Sequence, residues 1–276
     1  MDVSAWSWSI FDGFEAPGRT IAWSGLIELI RLGQDYARHQ CAELPDLLAQ
    51  WHAQLEYLGG ELSCFDWQNF RPLRTDREEQ WSDWLHHFIR TSTTGHFAHQ
   101  LVSRSGFESP TPCANPVVHR EESSEDRRAD IVIQWRNGEH CHIEVKVGDL
   151  ALEKTYDTAS KLQQKHDTHW THYILLPRED EWQWRALETT HEVTVHVLTW
   201  DDVAVALRRS LRLRREHQHW LAWAYGFCGL IEQKLLGLPQ LPHKLQPSAE
   251  RPFGSVGSTA RYVRQISILK RGLEDA

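Results

Sequence analysis

The chain has 276 residues, 41% of them hydrophobic and 25% charged, with a formal net charge of −8. That is an ordinary globular composition with ample length for a core, and no stretch approaches the roughly 18 uninterrupted apolar residues of a membrane span. The five cysteines (Cys41, Cys64, Cys113, Cys141 and Cys228) form no CxxC pair, which argues against a disulfide framework and a cysteine zinc site; Met1–Trp6 shows no basic segment leading into an apolar run, so no signal peptide and a cytoplasmic location are expected.

Apolar residues at three- and four-residue spacing (Ile27, Ile30, Leu32, Tyr36, then Leu47, Leu48, Trp51, Leu55) predict helix over about 22–58, ended by Gly59-Gly60. Thr75-Asp76-Arg77-Glu78 has the spacing of a capping box and predicts a helix running through Trp81, Trp84, Leu85 and Phe88. Pro110, Pro112 and Pro116 mark a loop before a strand at Val117-Val118. Ile131-Val132-Ile133 and Ile143–Val147 predict two strands joined by a hairpin at Arg136-Asn137-Gly138-Glu139. A helix follows with Leu152, Tyr156, Ala159 and Leu162 on one side, then a strand at Tyr173–Leu176 halted by Pro177, and another at Val193–Leu198. Helices are predicted from near Asp201 and over about 216–238, and the Pro-, Gly- and Ser-rich segment 239–260 reads as loop. The expected class is α/β, with a central mixed sheet flanked by helices. A helical region over 1–70, a core over 71–200 and a helical region over 201–276 make up the expected organisation.

The chemistry concentrates on the second predicted strand. Side chains alternate faces along a strand, so His142, Glu144 and Lys146 share one face while Ile143, Val145 and Val147 share the other. Glu144 and Lys146 are then about 6–7 Å apart along the strand. A carboxylate among aliphatics in a central strand is costly unless it binds something. Asp130 joins it only in one register: a two-residue turn pairs Asp130 with Val145, whereas a three-residue loop with Gly138 in the left-handed conformation pairs Trp135 with Glu139 and sets Asp130 opposite Glu144. The three-residue loop is the register expected here. Two adjacent carboxylates with a lysine one pleat away suit a hard divalent cation and a phosphodiester, because such cations take oxygen ligands and offset charge on a phosphoryl group.

Asp130 followed by Glu144-Val145-Lys146 resembles the PD-(D/E)XK nuclease superfamily, over roughly residues 75–200. The resemblance implies a restriction-endonuclease-like core and a phosphodiester hydrolase acting on nucleic acid, DNA first, and leaving a 5′-phosphate. It implies Mg²⁺, with Mn²⁺ substituting, bound by Asp130 and Glu144 with help from the Val145 carbonyl, and Lys146 orienting or deprotonating the attacking water. It also implies a glutamate on the first helix near the metal; Glu78 matches best and Glu79 second. Ala129 replaces the motif's proline, and Gln163 and Gln164 match the family's crossover-helix glutamine only loosely. The alternative is a catalytically silent nucleic-acid-binding or scaffold protein on the same fold.

The bare acid-x-lysine pattern carries little weight, since seven lysines in a chain with 38 acids yield about one by chance. Glu232-Gln233-Lys234, in a helical pattern without a partner strand, is such a decoy. Arg127 and Arg128, just before Asp130, are candidates to contact phosphate. His142 shares the face of Glu144 and reads first as a satisfied structural histidine, with a role behind the metal-binding carboxylates as the alternative. His166, His169 and His172 mimic a ligand stripe but break helical alignment, and His86-His87 read as surface. Residues 1–80 carry −7, residues 81–200 carry −6 and residues 201–276 carry +5. In the last region Arg208, Arg209, Arg212, Arg214 and Arg215 read either as phosphate-tracking or as partners of the negative end of their own helix. Trp220, Trp223 and Phe227 at helical spacing suggest packing, or a face for a second copy or a partner protein.

Overall fold

Three antiparallel strands followed by two parallel ones form a single sheet, and the connections dictate that split. The computed structural model describes residues 23–241 and 256–274, apart from residues 71, 74, 76, 103–115, 125–126, 136–137, 149–152, 166–168 and 189–192. Strands β1 (Val117–Ser124), β2 (Arg127–Gln134) and β3 (His140–Val145) follow one another through short connections, which only antiparallel neighbours allow. Helix α5 (Glu153–Lys165) then carries the chain back to β4 (Trp170–Leu176), and α6 (Glu181–Glu188) back to β5 (Val195–Thr199). Both of those pairings are parallel, and the strand order is β1-β2-β3-β4-β5. The α/β class with a mixed central sheet is therefore observed. Helix α6 escaped the periodicity reading because it is only eight residues long.

The hairpin has the three-residue loop. Trp135 N–H donates to the Glu139 carbonyl at 2.9 Å, Gly138 N–H donates to the Trp135 carbonyl at 3.1 Å, and Gly138 has φ +85°. The pairing then runs from Gln134–His140 to Ile131–Ile143. The ladder ends there, one step short of the expected Asp130–Glu144 pair.

The inner strands are buried on both faces, as sheets covered by helices on both sides require. Ile131 to Ile133, Cys141, Ile143, Val145 and Tyr173 to Leu176 are all fully buried. Ile174 and Leu176 pack against Tyr156 and Ala159 of α5 and Trp184 of α6, with the Tyr156 and Trp184 rings stacked at 4.5 Å.

Residues 1–42 and 43–276 form two separate units. The described part of the first is α1 (Trp23–Ala42), braced by Glu28–Arg31 and Asp35–Arg38 ion pairs one turn apart. The helix expected over 22–58 is thus divided, with α2 (Leu44–Leu55) opening the second unit and Gly59, at φ +108°, closing the turn after it. Helix α3 (Glu78–Thr91) is capped by Arg77, two residues later than the expected Thr75, with Gln80 rather than Glu78 reaching back to accept the cap N–H. Helices α4 (His96–Val102), α7 (Trp200–Leu213), α8 (Gln218–Leu230, continuing as a π-helical turn over Ile231–Leu235) and α9 (Val256–Leu273) complete the unit. Helix α9 begins inside the segment expected to be loop.

Arg208, Arg209, Arg212 and Arg214 take neither expected role, while Arg215 is exposed. Arg208 is fully buried, paired with both Glu61 and Glu232 and lying over the Trp51 ring. Arg209 donates to the Arg271 carbonyl and Arg212 to the Leu273 carbonyl, so they cap the carbonyl end of α9 rather than that of their own helix. Arg214 donates to the Gln54 carbonyl. These side chains join α2, α7, α8 and α9, and they are not a free phosphate track. The decoy Glu232-Gln233-Lys234 is structural, since Glu232 holds Arg208 and Gln233 accepts the Trp67 N–H. Trp220 and Phe227 are core residues against Phe88.

Candidate active site

Asp130 lies within β2 at the point where the β2–β3 ladder stops while the β1–β2 ladder runs on to Arg127. Its Oδ2 accepts the Val145 backbone N–H at 2.8 Å, so a side chain takes up the inward-pointing donor just past the last paired residues. This ties the aspartate to the strand that carries Glu144 and Lys146. The Lys146 N–H donates to the Leu175 carbonyl of β4 at 2.7 Å, and the Lys146 carbonyl accepts the Trp200 indole N–H at 3.1 Å. Trp200 also packs edge-on against Trp81 of α3, with ring centroids 5.7 Å apart. The end of β3 is therefore fixed from both sides by the sheet and by the first residue of α7.

Within this frame the Lys146 ammonium lies 3.1 Å from Glu144 Oε1, and both residues are buried, at 7% and 8% exposure. Glu78, the first residue of α3, reaches the same place: its Oε2 accepts the Val147 N–H at 2.8 Å and its Oε1 lies 3.9 Å from Lys146 Nζ. Glu79, the other candidate on this helix, is exposed. Asp130, Glu144, Lys146 and Glu78 thus converge, while the Val145 N–H, rather than its carbonyl, makes the contact to Asp130. Gln163 and Gln164 are exposed on α5. Arg127 and Arg128 open β2, and their side chains lie outside the described part of the structure.

The electrostatics of the group are those of an incompletely neutralised anionic pair. Burial and the neighbouring Glu144 charge push the Asp130 carboxyl up to about 6, against the opposing pull of the Val145 N–H and of Lys146. Burial also raises Glu144, but His142 and Lys146 outweigh it and hold the carboxyl below the usual range. Burial alone would lower Lys146, yet Glu144, Glu78 and Asp130 together raise it, so it remains an ammonium. One cation therefore faces three carboxylates.

One of the two sequence readings of His142 does not hold at this site. His142 is fully buried, and neither ring nitrogen has a hydrogen-bond partner among the described residues; the expected satisfied histidine is absent. Its Nε2 lies 3.6 Å from Glu144 Oε2, which likewise has no hydrogen-bond partner among the described residues. His172, next to it on β4, belongs to no histidine stripe: His169 is exposed and His166 lies outside the described residues. Burial, together with His142 and His196, pushes His172 down to about 3, so it is neutral. The alternation His-Ile-Glu in a strand buried on both faces was the available signal.

Among the described residues no three His, Cys, Asp or Glu side chains are close enough to form a metal-holding group by themselves, and no helix is long and apolar enough to cross a membrane. Comparison of the chain with protein-family models, curated proteins and solved structures yields no match.

Proposed function

We propose that this chain is a metal-dependent nuclease with a PD-(D/E)XK-type centre formed by Asp130, Glu144 and Lys146. The observation that carries the reading is the convergence of two carboxylates from adjacent strands and one lysine, at a point where the ladder ends and the carboxylates outnumber the cation. The order helix, three antiparallel strands, crossover helix, parallel strand is also what a restriction-endonuclease-like core requires. Nucleic acid, DNA first, is the substrate class that such a centre serves.

The donor set fits a hard divalent cation. Oxygen ligands from one or two carboxylates, completed by water and substrate phosphate, are the usual holding of Mg²⁺, so the absence of a three-ligand group among the described residues is compatible with it. Glu144 Oε2 is buried without a hydrogen-bond partner among the described residues, and Asp130 is raised by desolvation beside a like charge; a cation would relieve both. Asp130 and Glu144 would hold it, with the Val145 carbonyl and Glu78 as the further oxygens that the family resemblance adds. When bound, the cation supplies positive charge to the reacting phosphate.

The chain's own residues do the rest. Lys146, held as an ammonium, orients the attacking water and offsets charge on the phosphate; its raised affinity for a proton favours that role over proton abstraction. Glu78 secures the backbone after β3 through the Val147 N–H, keeping Lys146 at a fixed depth. Arg127 and Arg128, at the entry to β2, are the candidates for the flanking phosphate.

One observation favours the silent scaffold as a second reading. Glu144 Oε1 is occupied by Lys146 and Asp130 Oδ2 by Val145, an arrangement that an ordinary buried ion pair would also adopt. Labelled DNA and RNA, single- and double-stranded, incubated with Mg²⁺, Mn²⁺ or EDTA separate the two. Cleavage that needs the cation is expected; no cleavage together with no cation binding in calorimetry hands the case to the scaffold.

A further inference from the structure

The strongest unexplained feature of the molecule is a group of polar atoms behind Glu144. Buried polar atoms in native proteins are nearly always hydrogen-bonded, and leaving one unpaired costs about 1–3 kcal/mol. Here five lie together without a hydrogen-bond partner among the described residues: both ring nitrogens of His142, both of His172, and Glu144 Oε2. His142 and His172 are cross-strand neighbours on β3 and β4, and their rings meet edge-on with centroids 5.6 Å apart. His142 and Glu144 are two residues apart on β3, so their side chains leave the same face.

The Glu144 carboxylate is therefore divided. Its Oε1 is held by Lys146 at 3.1 Å, while its Oε2 points into the protein, 3.6 Å from His142 Nε2. A shift of about half an ångström closes that gap to a hydrogen bond, within the range of N–H···O contacts. No other side chain comes as near to Oε2 among the described ion pairs and hydrogen bonds. A two-residue strand spacing in a fully buried strand leaves His142 little freedom to turn away, because backbone pairing to Val132 on one side and His172 on the other fixes its Cα.

We infer that His142 is a positioning residue: its Nε2–H donates to Glu144 Oε2 and fixes the rotation of the carboxylate, with His172 packed behind the ring to hold its orientation. This rests on the nuclease reading for its purpose, since it sets which oxygen edge of Glu144 a cation would meet. His142 touches neither substrate nor cation in this role. The chemistry is that of an imidazole orienting a ligating carboxylate from behind, and loss of such an outer partner typically lowers metal affinity or activity by about 10–100-fold.

The test uses the full chain and two kinds of readout. Glutamine places an amide N–H where the histidine has Nε2, and asparagine places one where it has Nδ1, so His142→Gln and His142→Asn differ only in which ring nitrogen they replace. Mn²⁺ binding by calorimetry should stay within about threefold of wild type for His142→Gln and weaken about tenfold or more for His142→Asn and His142→Leu. Equal affinities in the Gln and Asn variants would overturn the proposal even if His142→Leu fails to fold. In the metal-free protein, ¹⁵N spectra of the imidazoles should show His142 protonated at Nε2, with a resonance that moves in Glu144→Gln. A proton at Nδ1, or no response to Glu144→Gln, would overturn it too. A wild type that binds no Mn²⁺ would instead sink the nuclease reading; the imidazole spectra would then decide by themselves whether His142 holds Glu144.

Discussion

Asp130 and Glu144 lie just beyond the last β2–β3 pair, Ile131–Ile143, and the bound oxygen of Asp130 is turned to the Val145 backbone N–H, 2.8 Å away. The two carboxylates are thus neighbours that share no proton donor of their own. Glu144 has Lys146; Asp130 has a main-chain amide and the repulsion of Glu144. That asymmetry makes the two acids respond differently to substitution and to pH.

Substitution separates holding a cation from using it. Asp130→Asn and Glu144→Gln each exchange an anionic oxygen for a neutral amide at nearly the same volume, and should weaken Mg²⁺ and Mn²⁺ binding in calorimetry. Lys146→Ala should leave the affinity unchanged or higher, because it removes a competing positive charge, while slowing cleavage by about 10²-fold or more. A Lys146→Ala protein that loses cation binding along with activity would contradict this division of roles.

Asp130 also predicts a pH-dependent stability. Its pKa in the fold, about 6, lies above the ordinary aspartate value of 3.8, so proton binding favours the folded state fully below about 3.8 and that contribution is lost as the pH rises through about 6. Asp130→Asn keeps an acceptor for the Val145 N–H and carries no charge. In EDTA the variant should match wild type near pH 3, below both pKa values, and exceed it at pH 7.5 by about 1–3 kcal/mol. Millimolar Mg²⁺ should raise the melting temperature of the wild type at pH 7.5 more than that of the variant, since ligand stabilisation follows affinity. Thermal melts at the two pH values check both statements, and identical stabilities at pH 7.5 would mean that Asp130 is not a strained charge.

Arg208 should be among the residues least tolerant of change. It is fully buried and makes charge-assisted hydrogen bonds to both carboxyl oxygens of Glu61 and both of Glu232. Arg208→Ala would leave two buried acids without their cation, a loss of about 3–5 kcal/mol in urea unfolding. Arg208→Lys should recover little, because an ammonium cannot present the planar fork that grips two carboxylates at once. Adding Glu61→Leu and Glu232→Met to Arg208→Met should recover much of the loss, as apolar replacement of whole buried ion clusters often does.

Gly229 gives a purely steric prediction. A Cβ there would meet three atoms of the Trp67 indole at 2.4–2.5 Å, and Trp67 has little room to yield because its Nε1–H is bonded to the Leu62 carbonyl and its ring contacts Tyr225. Gly229→Ala should therefore destabilise by about 1–3 kcal/mol despite alanine's better helix propensity. Denaturant titration with an unchanged slope and a lower midpoint is the expected result; a raised midpoint would show that the indole moves freely.

Much of the site was legible in the sequence because it is built from local rules. Strand alternation put Glu144 and Lys146 on one face, and the left-handed Gly138 fixed the loop length and hence the partner of Asp130. Helical period marked α3, and with it a glutamate at the right end. What only the tertiary structure decided were the contacts between elements distant in the chain. Local spacing cannot say what a buried histidine meets: among the described residues β4 places His172 beside His142, and the nearest acceptor, Glu144 Oε2, stands 3.6 Å off. Nor can a run of arginines reveal what it faces. Arg208 meets Glu61 from 147 residues away, and Arg209 and Arg212 meet the carbonyl end of α9, over 60 residues on. Charge along a chain is read from composition, but whether that charge faces solvent, a phosphate or a buried acid depends on which helices pack together, and that is set by long-range burial.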